Sequence, residues 1–544
     1  MLKYDSIYFQ VFIISFSITY LAGCAQGQHL IYNPNVDENT YRNPVIHADY
    51  SDPDVIRVGE DYYLVSSSFS HFPGLPILHS VDLINWVIIG HAALQYPEAS
   101  FSSPQHGDAI WAPSMRYYDS EFYIYFGDPD RGVFMTKTKN PAGPWEPLKL
   151  IKKVTGWIDC CPFWDDDGKA YLVHAYANSR VGLKGVLMAN EMSPNGLEIL
   201  GTSTLVFNGQ KDHNTIEGPK FYKRNGYYYI FAPAGGVATG WQTVLRSKNI
   251  FGPYEDKIVL EQGRSKINGP HQGAWIDAPD GSEWFIHFQD KGAYGRIVHL
   301  QPLRWENDWP VIGIDADGNG IGEPVENYKK PIISSGVKVP QTSDEFDSGL
   351  PGLQWQWQSN PNDSWLDIQY KSGFLKLKSI PQVSKNNLWM QPNLLLQKFP
   401  AENFTATTEL ELYGVEAGDK AGLIVFGLDY SNISIEKDNN GKFKIQVNTC
   451  KNAENGNLET IEETLIVDTR KVYFRVEIKA EYRLNEINPK AVCNFKYSLN
   501  GSDFFQIGKT FEAREGKWVG AKIGLLSIGN QSSYTVIDWF RIKE

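Results

Sequence analysis

The sequence predicts an all-β protein, in which a five-bladed β-propeller is followed by a β-sandwich. Three observations support this fold class. A unit of two short strands joined by a tight turn returns five times within the first 330 residues. Alternating strands resume after a linker that is rich in Pro, Gly and Ser. The composition, with 13% aromatic residues, 48 Gly and 30 Pro, is typical of β-rich proteins with many turns.

Length, net charge and aromatic content indicate the number of domains and the kind of partner. At 544 residues the chain is too long for one ordinary core, which indicates more than one domain. A net charge of −12 is mild for this length and argues against nucleic acid as a partner. The 16 Trp and 29 Tyr residues suit a protein that binds sugars, because the apolar faces of sugars stack on flat rings.

The N-terminus predicts export. Lys3 precedes an apolar run from residue 7 to residue 21, which is too short to span a membrane and is typical of a signal peptide over residues 1–23. The letters LAGC at 21–24 resemble the bacterial lipobox, which implies a lipid on Cys24 that anchors the protein to a membrane. The alternative is a plain signal peptide with an incidental Cys24. We expect an exported lipoprotein in the periplasm, anchored to the outer membrane.

The repeated units predict the propeller. They begin at residues 52, 111, 159, 217 and 271, so that their starts are 59, 48, 58 and 54 residues apart. Each unit contains a short alternating strand, a turn rich in Gly, Asp or Asn, and an aromatic strand. Such a period holds about four strands, which is one propeller blade. Five blades fit between residues 40 and 330.

The first residues of the units predict a site on the propeller axis. Equivalent positions of successive blades are related by rotation, so their side chains converge on one pocket. These positions hold Asp52, Trp111, Asp159, Glu217 and His271. Taken singly, each acid could be a turn or cap residue, the tryptophan a core aromatic and the histidine a structural residue. Three acids at the same phase of a repeat instead indicate catalysis.

The same stretches resemble glycoside hydrolase family 43. The matching segments are SDPDVIRVGEDYYLVSSSFSHFPG at 51–74, IWAPSM at 110–115, IDCCPFWDDDGKAYL at 158–172, IEGPKFYKRNGYYYIF at 216–231, GPHQGAW at 269–275 and GRIVHLQPLRWENDWPVIG at 295–313. The resemblance implies a five-bladed propeller that acts on glycans containing arabinose and xylose.

The resemblance also implies roles for individual residues. Asp52 matches the general base, Glu217 the general acid, and Asp159 a third acid that orients the general acid and tunes it. In an inverting enzyme the acid protonates the leaving oxygen while the base holds a water on the opposite face of the sugar. Four further positions match residues around the terminal sugar, namely Phe69, Trp111, His271 and Arg296. His271 also matches a histidine that holds the third acid or a bound ion.

The predicted activity is an inverting exo-glycosidase that removes terminal non-reducing α-L-arabinofuranosyl residues from hemicellulose side chains or oligosaccharides. A β-D-xylosidase acting on xylo-oligosaccharides is the alternative, because the two sugars present similar hydroxyl arrays. A remoter alternative is a glycan-binding lipoprotein without catalysis, and a retaining glycosidase is a further possibility. The expected partner is a hemicellulose-derived oligosaccharide, and the reaction requires no cofactor.

A structural calcium ion is possible but is not supported by the sequence. Residues 315–326, DADGNGIGEPVE, satisfy the pattern of a calcium-binding loop. Neither flank has helical periodicity, and Pro324 stands where a helix should begin. We therefore interpret the stretch as a solvated turn. Cys450 and Cys493 could pair in an oxidising compartment, a question that the sequence leaves open.

The second domain, residues 342–544, is predicted to be an antiparallel β-sandwich. Alternating strands are evident in FLKLKS, TATTELELYG, AGLIVFGLDY, FKIQVNT, VYFRVEIKA, VCNFKYSLNG and AKIGLLSIG. The pattern resembles the lectin-like (concanavalin A-like) sandwich that is appended to many members of the family. This domain could bind carbohydrate by itself, or it could pack on the propeller and lend a wall to the pocket.

Overall fold

The computed structural model describes residues 30–334, 336–367, 370–484 and 486–544. The predicted signal peptide and Cys24 lie outside these residues. In the described part of the chain, no helix has the length and apolar character needed to cross a membrane.

The first half of the chain forms five four-stranded antiparallel sheets, each built from consecutive strands. Blade 1 comprises Asp54–Val58, Asp61–Val65, Gly74–Ser80 and Val87–Ala93, and blade 2 comprises Trp111–Tyr118, Glu121–Asp128, Gly132–Thr138 and Lys149–Lys153. Blade 3 comprises Trp157–Trp164, Ala170–Tyr176, Val186–Met192 and Ile199–Asn208. Blade 4 comprises Lys220–Arg224, Tyr227–Ala234, Trp241–Ser247 and Glu255–Leu260. Blade 5 comprises His271–Asp277, Glu283–Asp290, Arg296–Glu306 and Trp309–Ile312. The predicted propeller is confirmed.

The first strand of each blade is the innermost one. First strands contact one another around the axis between blades 1 and 2, 2 and 3, 3 and 4, and 5 and 1. Each first strand pairs with the second strand through a tight turn, as in blade 4, where Arg224 faces Tyr227 across Asn225-Gly226. Both turn residues have positive φ, 50° and 72°, which is what a two-residue hairpin turn of the favoured type requires.

Apolar side chains between neighbouring blades hold the propeller together. Blades 3 and 4, for example, share one buried cluster that includes Val173 and Leu187 from one sheet and Phe221, Ile230 and Leu245 from the other. A short sheet formed by Thr40–Arg42 and Asn327–Lys329 joins the beginning of the propeller to its end. The termini of the domain are thereby tied to each other.

The second half of the chain is a sandwich of two antiparallel sheets. One sheet has the order Gln356–Trp357, Leu395–Lys398, Lys522–Ile528, Lys420–Phe426, Tyr430–Lys437, Phe443–Cys450 and Thr460–Val467. The other has the order Leu375–Lys378, Tyr534–Lys543, Phe404–Tyr413, Lys471–Glu481, Lys490–Ser498 and Phe505–Gln506, and Phe511–Ala513 also pairs with Lys490–Ser498. A single apolar core lies between the sheets.

Several strands of the sandwich are absent from the sequence-based prediction, among them Leu395–Lys398, Tyr430–Lys437 and Thr460–Val467. Tyr430–Lys437 reads YSNISIEK and is mostly polar, although its side chains are buried. Thr460–Val467 reads TIEETLIV and is an edge strand with most side chains exposed, so it lacks the alternation of a half-buried strand.

The sandwich packs directly on the propeller. Phe72 and Trp357 exchange backbone hydrogen bonds of 3.1 and 2.6 Å across the boundary. The backbone N–H of Gly520 donates to the carboxylate of Asp49 at 2.9 Å. The ring of His106 stacks on Trp389, with centroids 3.7 Å apart. The segment that precedes Lys522–Ile528 is therefore held against the propeller.

Helices are few and short among the described residues. One α-helical turn covers Asn178–Val181, and four 3₁₀ turns cover Ala99–Ser102, Gly292–Tyr294, Asp363–Trp365 and Ala453–Asn455. The stretch at 315–326 is a turn, in which the carboxylate of Asp315 accepts hydrogen bonds from the backbone N–H groups of Gly318, Asn319 and Gly320. Its carboxylate is thus already satisfied by the protein. Cys160, Cys161, Cys450 and Cys493 are buried and unpaired.

Candidate active site

Within two residues of the start of each innermost strand, one residue has a left-handed backbone conformation. The φ angles are 54° at Asp52, 34° at Ala112, 59° at Asp159, 59° at Gly218 and 31° at Gln272. In blades 2, 3 and 5 the register of the first hairpin also shifts at this point. A bulge bends a strand and re-aims its side chains. The strand starts are thereby bent at the propeller axis, and such backbone strain is typical of functional sites.

One small pocket of about 130 Å³ lies where the five strand starts meet. All seven residues that the sequence analysis assigned to the site line it, together with five that it did not. The lining residues are Asp52, Phe69, Trp111, Ala112, Ile158, Asp159, Glu217, Val237, His271, Gln272, Arg296 and Trp518. Residues 219 positions apart in blades 1 and 5 thus share one cavity.

Asp52 is held by donors on two sides. The hydroxyl of Ser67 donates to its Oδ2 at 2.6 Å and itself accepts from the backbone N–H of Ala112 at 2.7 Å. The guanidinium of Arg296 lies 3.3 Å from Oδ1. The carboxylate is buried. Both of its oxygens therefore have a partner, and the position of the group is defined by three blades.

Asp159 and Glu217 form an electrostatically coupled pair. Asp159 is almost fully buried, whereas the Glu217 side chain keeps 32% of its surface exposed. Burial and then the negative charge of Glu217 raise the pKa of Asp159 to about 8, although the Gly218 N–H donates to its Oδ2 at 2.7 Å and opposes the shift. Since like charges disfavour a second ionisation, the pair retains one proton at neutral pH. In the free enzyme the raised pKa therefore keeps Asp159, which is the more deeply buried of the two, protonated at neutral pH.

The shared proton leads to a pH prediction. We expect kcat/KM to fall as the pH rises through about 8, because deprotonation of the pair removes the only proton available to the leaving group. The measurement is a pH profile from 5 to 10 with a nitrophenyl glycoside. Asp159→Asn should move this alkaline limb to lower pH, since the remaining carboxyl no longer has an acidic neighbour. An alkaline limb at the same pH in parent and variant would contradict the assignment.

His271 lies beside Glu217. Its Nε2 is 3.4 Å from Glu217 Oε1, and among the described residues neither ring nitrogen has a hydrogen-bond partner. Phe288 covers its ring, with centroids 5.4 Å apart. Arg296 lies across the same phenyl ring, 4.9 Å from its centroid. Phe288 therefore packs against both His271 and Arg296.

A buried polar cluster follows the acids along the innermost strands. Asp54 is fully buried and accepts from Arg116 at 2.8 Å, with the Lys220 ammonium 3.9 Å away. Lys220 donates to the Ser114 hydroxyl at 2.6 Å and to the Pro113 carbonyl at 2.9 Å. These contacts fasten blades 1, 2 and 4 together next to the acids.

Five lining residues escaped the sequence analysis: Ala112, Ile158, Val237, Gln272 and Trp518. Gln272 directly follows His271 and could have been found by extending the repeat phase by one position. Trp518 comes from the sandwich, on a loop with φ of 67°, and its ring lies 5.9 Å from that of Trp111. No repeat or motif connects it with the propeller. The sandwich therefore contributes one wall of the pocket.

Comparison with known proteins defines the family. The model of glycosyl hydrolases family 43 matches residues 41–310, and that of the beta xylosidase C-terminal concanavalin A-like domain matches residues 343–543. A protein of Xylanibacter ruminicola that bears the name "Putative beta-xylosidase" is 42% identical over 494 residues, covering 90% of this chain and 86% of the relative. The chain belongs to glycosyl hydrolase family 43. It is therefore a glycoside hydrolase, and the resemblance stated from its motifs is confirmed.

Other members of family 43 also match most of the length of the chain. A non-reducing end alpha-L-arabinofuranosidase of Bacteroides ovatus is 31% identical over 487 residues, covering 83% of this chain and 87% of the relative. The crystal structure of a family 43 protein from Bacillus licheniformis matches with a TM-score of 0.80 at 24% identity, covering 93% of this chain and 99% of that chain, which shows the shared fold. Hydrolysis by this family needs no cofactor. Among the described residues, no group of three or more His, Cys, Asp or Glu side chains could hold a metal ion.

Proposed function

We propose that the protein is an inverting, exo-acting β-D-xylosidase that removes the terminal non-reducing xylosyl residue from xylo-oligosaccharides. The observation that carries the proposal is the convergence of Asp52, Asp159 and Glu217 on one small pocket. The name of the Xylanibacter ruminicola relative, which matches both domains of the chain, favours the xyloside over the arabinofuranoside.

In the proposed mechanism Asp52 is the general base. Inversion needs a carboxylate that takes a proton from a water as the water attacks the anomeric carbon from behind. Ser67 and Arg296 hold Asp52 in one orientation, at 2.6 and 3.3 Å. A base fixed by its neighbours needs little reorganisation when it reacts, which is how preorganised polar groups contribute to catalysis.

Glu217 is the proposed general acid, and Asp159 supplies and tunes its proton. When a sugar enters the pocket it removes water from the exposed part of Glu217. Loss of water disfavours the charged form of a carboxyl. The proton that the pair holds then moves from Asp159 to Glu217, where it can reach the leaving oxygen. The hydrogen bond of 2.7 Å from Gly218 stabilises the carboxylate that remains on Asp159.

The shape of the pocket supports exo-action. We infer that the buried cluster around Asp54, two residues beyond Asp52, prevents a chain from passing through this pocket of about 130 Å³. A single terminal sugar can enter, with the glycosidic oxygen facing outward. The rest of the bound substrate then extends out of the pocket through its mouth, where Trp111 and Trp518 form an aromatic pair.

Trp518 is expected to govern affinity for the substrate. Its side chain keeps 49% of its surface exposed although it lines the pocket. We expect Trp518→Ala to raise KM for xylobiose by about tenfold with a smaller change in kcat, because a lost ring contact is worth about 0.5–1.5 kcal/mol beyond its buried area. Steady-state kinetics measure both constants. Trp518→Phe, which retains a ring, should stay within about threefold of the parent; equal damage by both would argue against stacking.

α-L-Arabinofuranosidase is the second candidate, because the Bacteroides ovatus relative that bears this name also matches most of the chain. The deciding experiment compares kcat/KM on 4-nitrophenyl β-D-xylopyranoside and 4-nitrophenyl α-L-arabinofuranoside. A larger value for the xyloside supports the proposal, and activity confined to the arabinofuranoside refutes it. Proton NMR of the first-formed anomer distinguishes inversion from retention in the same reaction.

We also propose that the mature protein is a lipoprotein anchored to the outer membrane through Cys24 and exposed to the periplasm. The proposal rests on the LAGC motif alone. We expect the parent, expressed in a bacterial host, to partition into the detergent phase of a Triton X-114 extract. Cys24→Ser should appear in the aqueous phase. If parent and variant partition alike, the lipobox assignment is wrong and the alternative of a plain signal peptide stands.

A further inference from the structure

A second cavity lies at the opposite end of the propeller axis. It measures about 480 Å³, against about 130 Å³ for the catalytic pocket. The far ends of all five innermost strands line it, as in Ile56 of blade 1, Tyr117 of blade 2, Phe163 of blade 3, Tyr222 of blade 4 and Trp275 of blade 5. A volume of about 300–1,000 Å³ is usual for small-molecule sites.

The two cavities share no lining residue. Asp54, which is fully buried, lies between them along the first strand of blade 1, after Asp52 of the catalytic pocket and before Val55 of the second cavity. Arg116 lines the second cavity, and its guanidinium donates to Asp54 at 2.8 Å and to the Cys161 sulfur at 2.8 Å. Asp54 in turn faces the Lys220 ammonium at 3.9 Å. Any function of this cavity is separate from the chemical step.

Aromatic rings dominate the second cavity. Six partly exposed rings surround it: Tyr117, Tyr118, Phe163, Trp164, Tyr222 and Trp275. The indole N–H of Trp164 donates to the Pro194 carbonyl at 2.9 Å, and that of Trp275 to Glu283 at 2.8 Å. Since their polar edges are already occupied, these tryptophans have ring surface left to offer a ligand.

The charges around the cavity are balanced. Arg57 pairs with Asp277 at 2.6 Å, Lys223 with Asp166 at 2.9 Å, and Arg116 is paired as described above. A phosphate or an acidic peptide needs free cations, and a cationic ligand needs free acids. The charged residues that line this cavity provide neither a free cation nor a free acid. Rings flanked by paired polar groups instead suit a neutral ligand that has apolar faces and hydroxyl edges.

We propose that this cavity is a second glycan-binding site, which holds a short stretch of a neutral pentose chain. The choice of pentose rests on the proposed function, because an enzyme that trims xylan benefits from retaining the same polymer. Sugar faces stack on the rings, and hydroxyl groups share hydrogen bonds with the paired charges. Binding on the face opposite to the acids keeps the enzyme on the polymer without occupying the catalytic pocket.

The test uses the full chain carrying Asp52→Asn, titrated with xylohexaose by calorimetry. We expect two binding sites per chain. Adding Tyr117→Ala should weaken one of them by about tenfold, the effect of losing one stacking ring. Tyr117 keeps 44% of its surface exposed, so the substitution should be tolerated, and Tyr118→Ala provides an independent second variant. Tyr117→Phe keeps the ring, and Phe505→Ala removes an exposed ring from the sandwich; both should bind like the parent.

In the chain with Asp52 intact, Tyr117→Ala should leave hydrolysis of 4-nitrophenyl xyloside unchanged and reduce binding to insoluble xylan. Titration curves that neither Tyr117→Ala nor Tyr118→Ala alters, in variants with parental unfolding temperatures, would refute the second site and favour a protein partner for this face. Failure of the parent to hydrolyse the xyloside, with the second site intact, would refute only the proposed function.

Discussion

Replacing Glu217 with glutamine is expected to lower kcat on xylobiose by about 10²–10⁴-fold, the usual contribution of a positioned general acid. Glutamine keeps the shape of the side chain but has no proton to give to the leaving oxygen. The loss should be much smaller on 2,4-dinitrophenyl xyloside, because that leaving group departs as a stable anion. Steady-state kinetics on the two substrates measure the difference.

The control for this substitution is Glu255→Gln, an exposed glutamate on the outermost strand of blade 4 that pairs with Arg246. It should behave like the parent on both substrates. Losses of equal size on xylobiose and the dinitrophenyl substrate would assign Glu217 a role other than proton donation. A Glu217→Gln protein that processed both substrates like the parent would refute a catalytic role for Glu217, and a parent that bound xylobiose but hydrolysed neither substrate would favour the glycan-binding alternative.

Replacing Asp52 with asparagine should reduce kcat by about 10²–10⁴-fold on every substrate, whatever its leaving group. The reason is that an amide cannot take the proton of the attacking water, a requirement that does not change with the quality of the leaving group. KM should change little, since the amide fills the same space between Ser67 and Arg296. The leaving-group dependence thus separates the base from the acid.

Two further variants provide a comparison for the loss of kcat expected in Asp52→Asn. Ser67→Ala removes a hydrogen bond to the base and should cost about fivefold in kcat, in keeping with about 1 kcal/mol for one such bond. Asp503→Asn, on an exposed turn of the sandwich, should leave the kinetics unchanged. If Asp52→Asn spared the dinitrophenyl substrate while abolishing hydrolysis of xylobiose, the roles of Asp52 and Glu217 would have to be exchanged.

The propeller was predictable because each blade repeats one local pattern. The hairpin at Asn225-Gly226 needs two residues that tolerate positive φ, and the sequence supplies both. Rotation of the repeat then carries Asp52, Asp159 and Glu217 to the axis without any knowledge of long-range contacts. Five of the seven predicted site residues share a pocket for this reason, whereas Phe69 and Arg296 were assigned from the family resemblance.

Other features of the structure could not be predicted from the local sequence. Thr460–Val467 is a strand because Phe443–Cys450 pairs with it, not because its own sequence alternates. Trp518 reaches the catalytic pocket only because the sandwich packs on the propeller, through contacts such as that between Gly520 and Asp49. The second aromatic cavity likewise combines residues from five units whose side chains look like ordinary strand residues in each unit.

The sequence by itself determined the blade count, the family and the three acids that meet on the axis, because a repeat encodes its own rotational symmetry. Tertiary structure alone decided that the pKa of Asp159 is raised, since that shift depends on how deeply the carboxyl is buried beside Glu217 and not on the order of the two acids in the chain. It also decided that the second domain closes the pocket. Burial and distance between remote residues are properties of the packed molecule, and no spacing in the sequence expresses them.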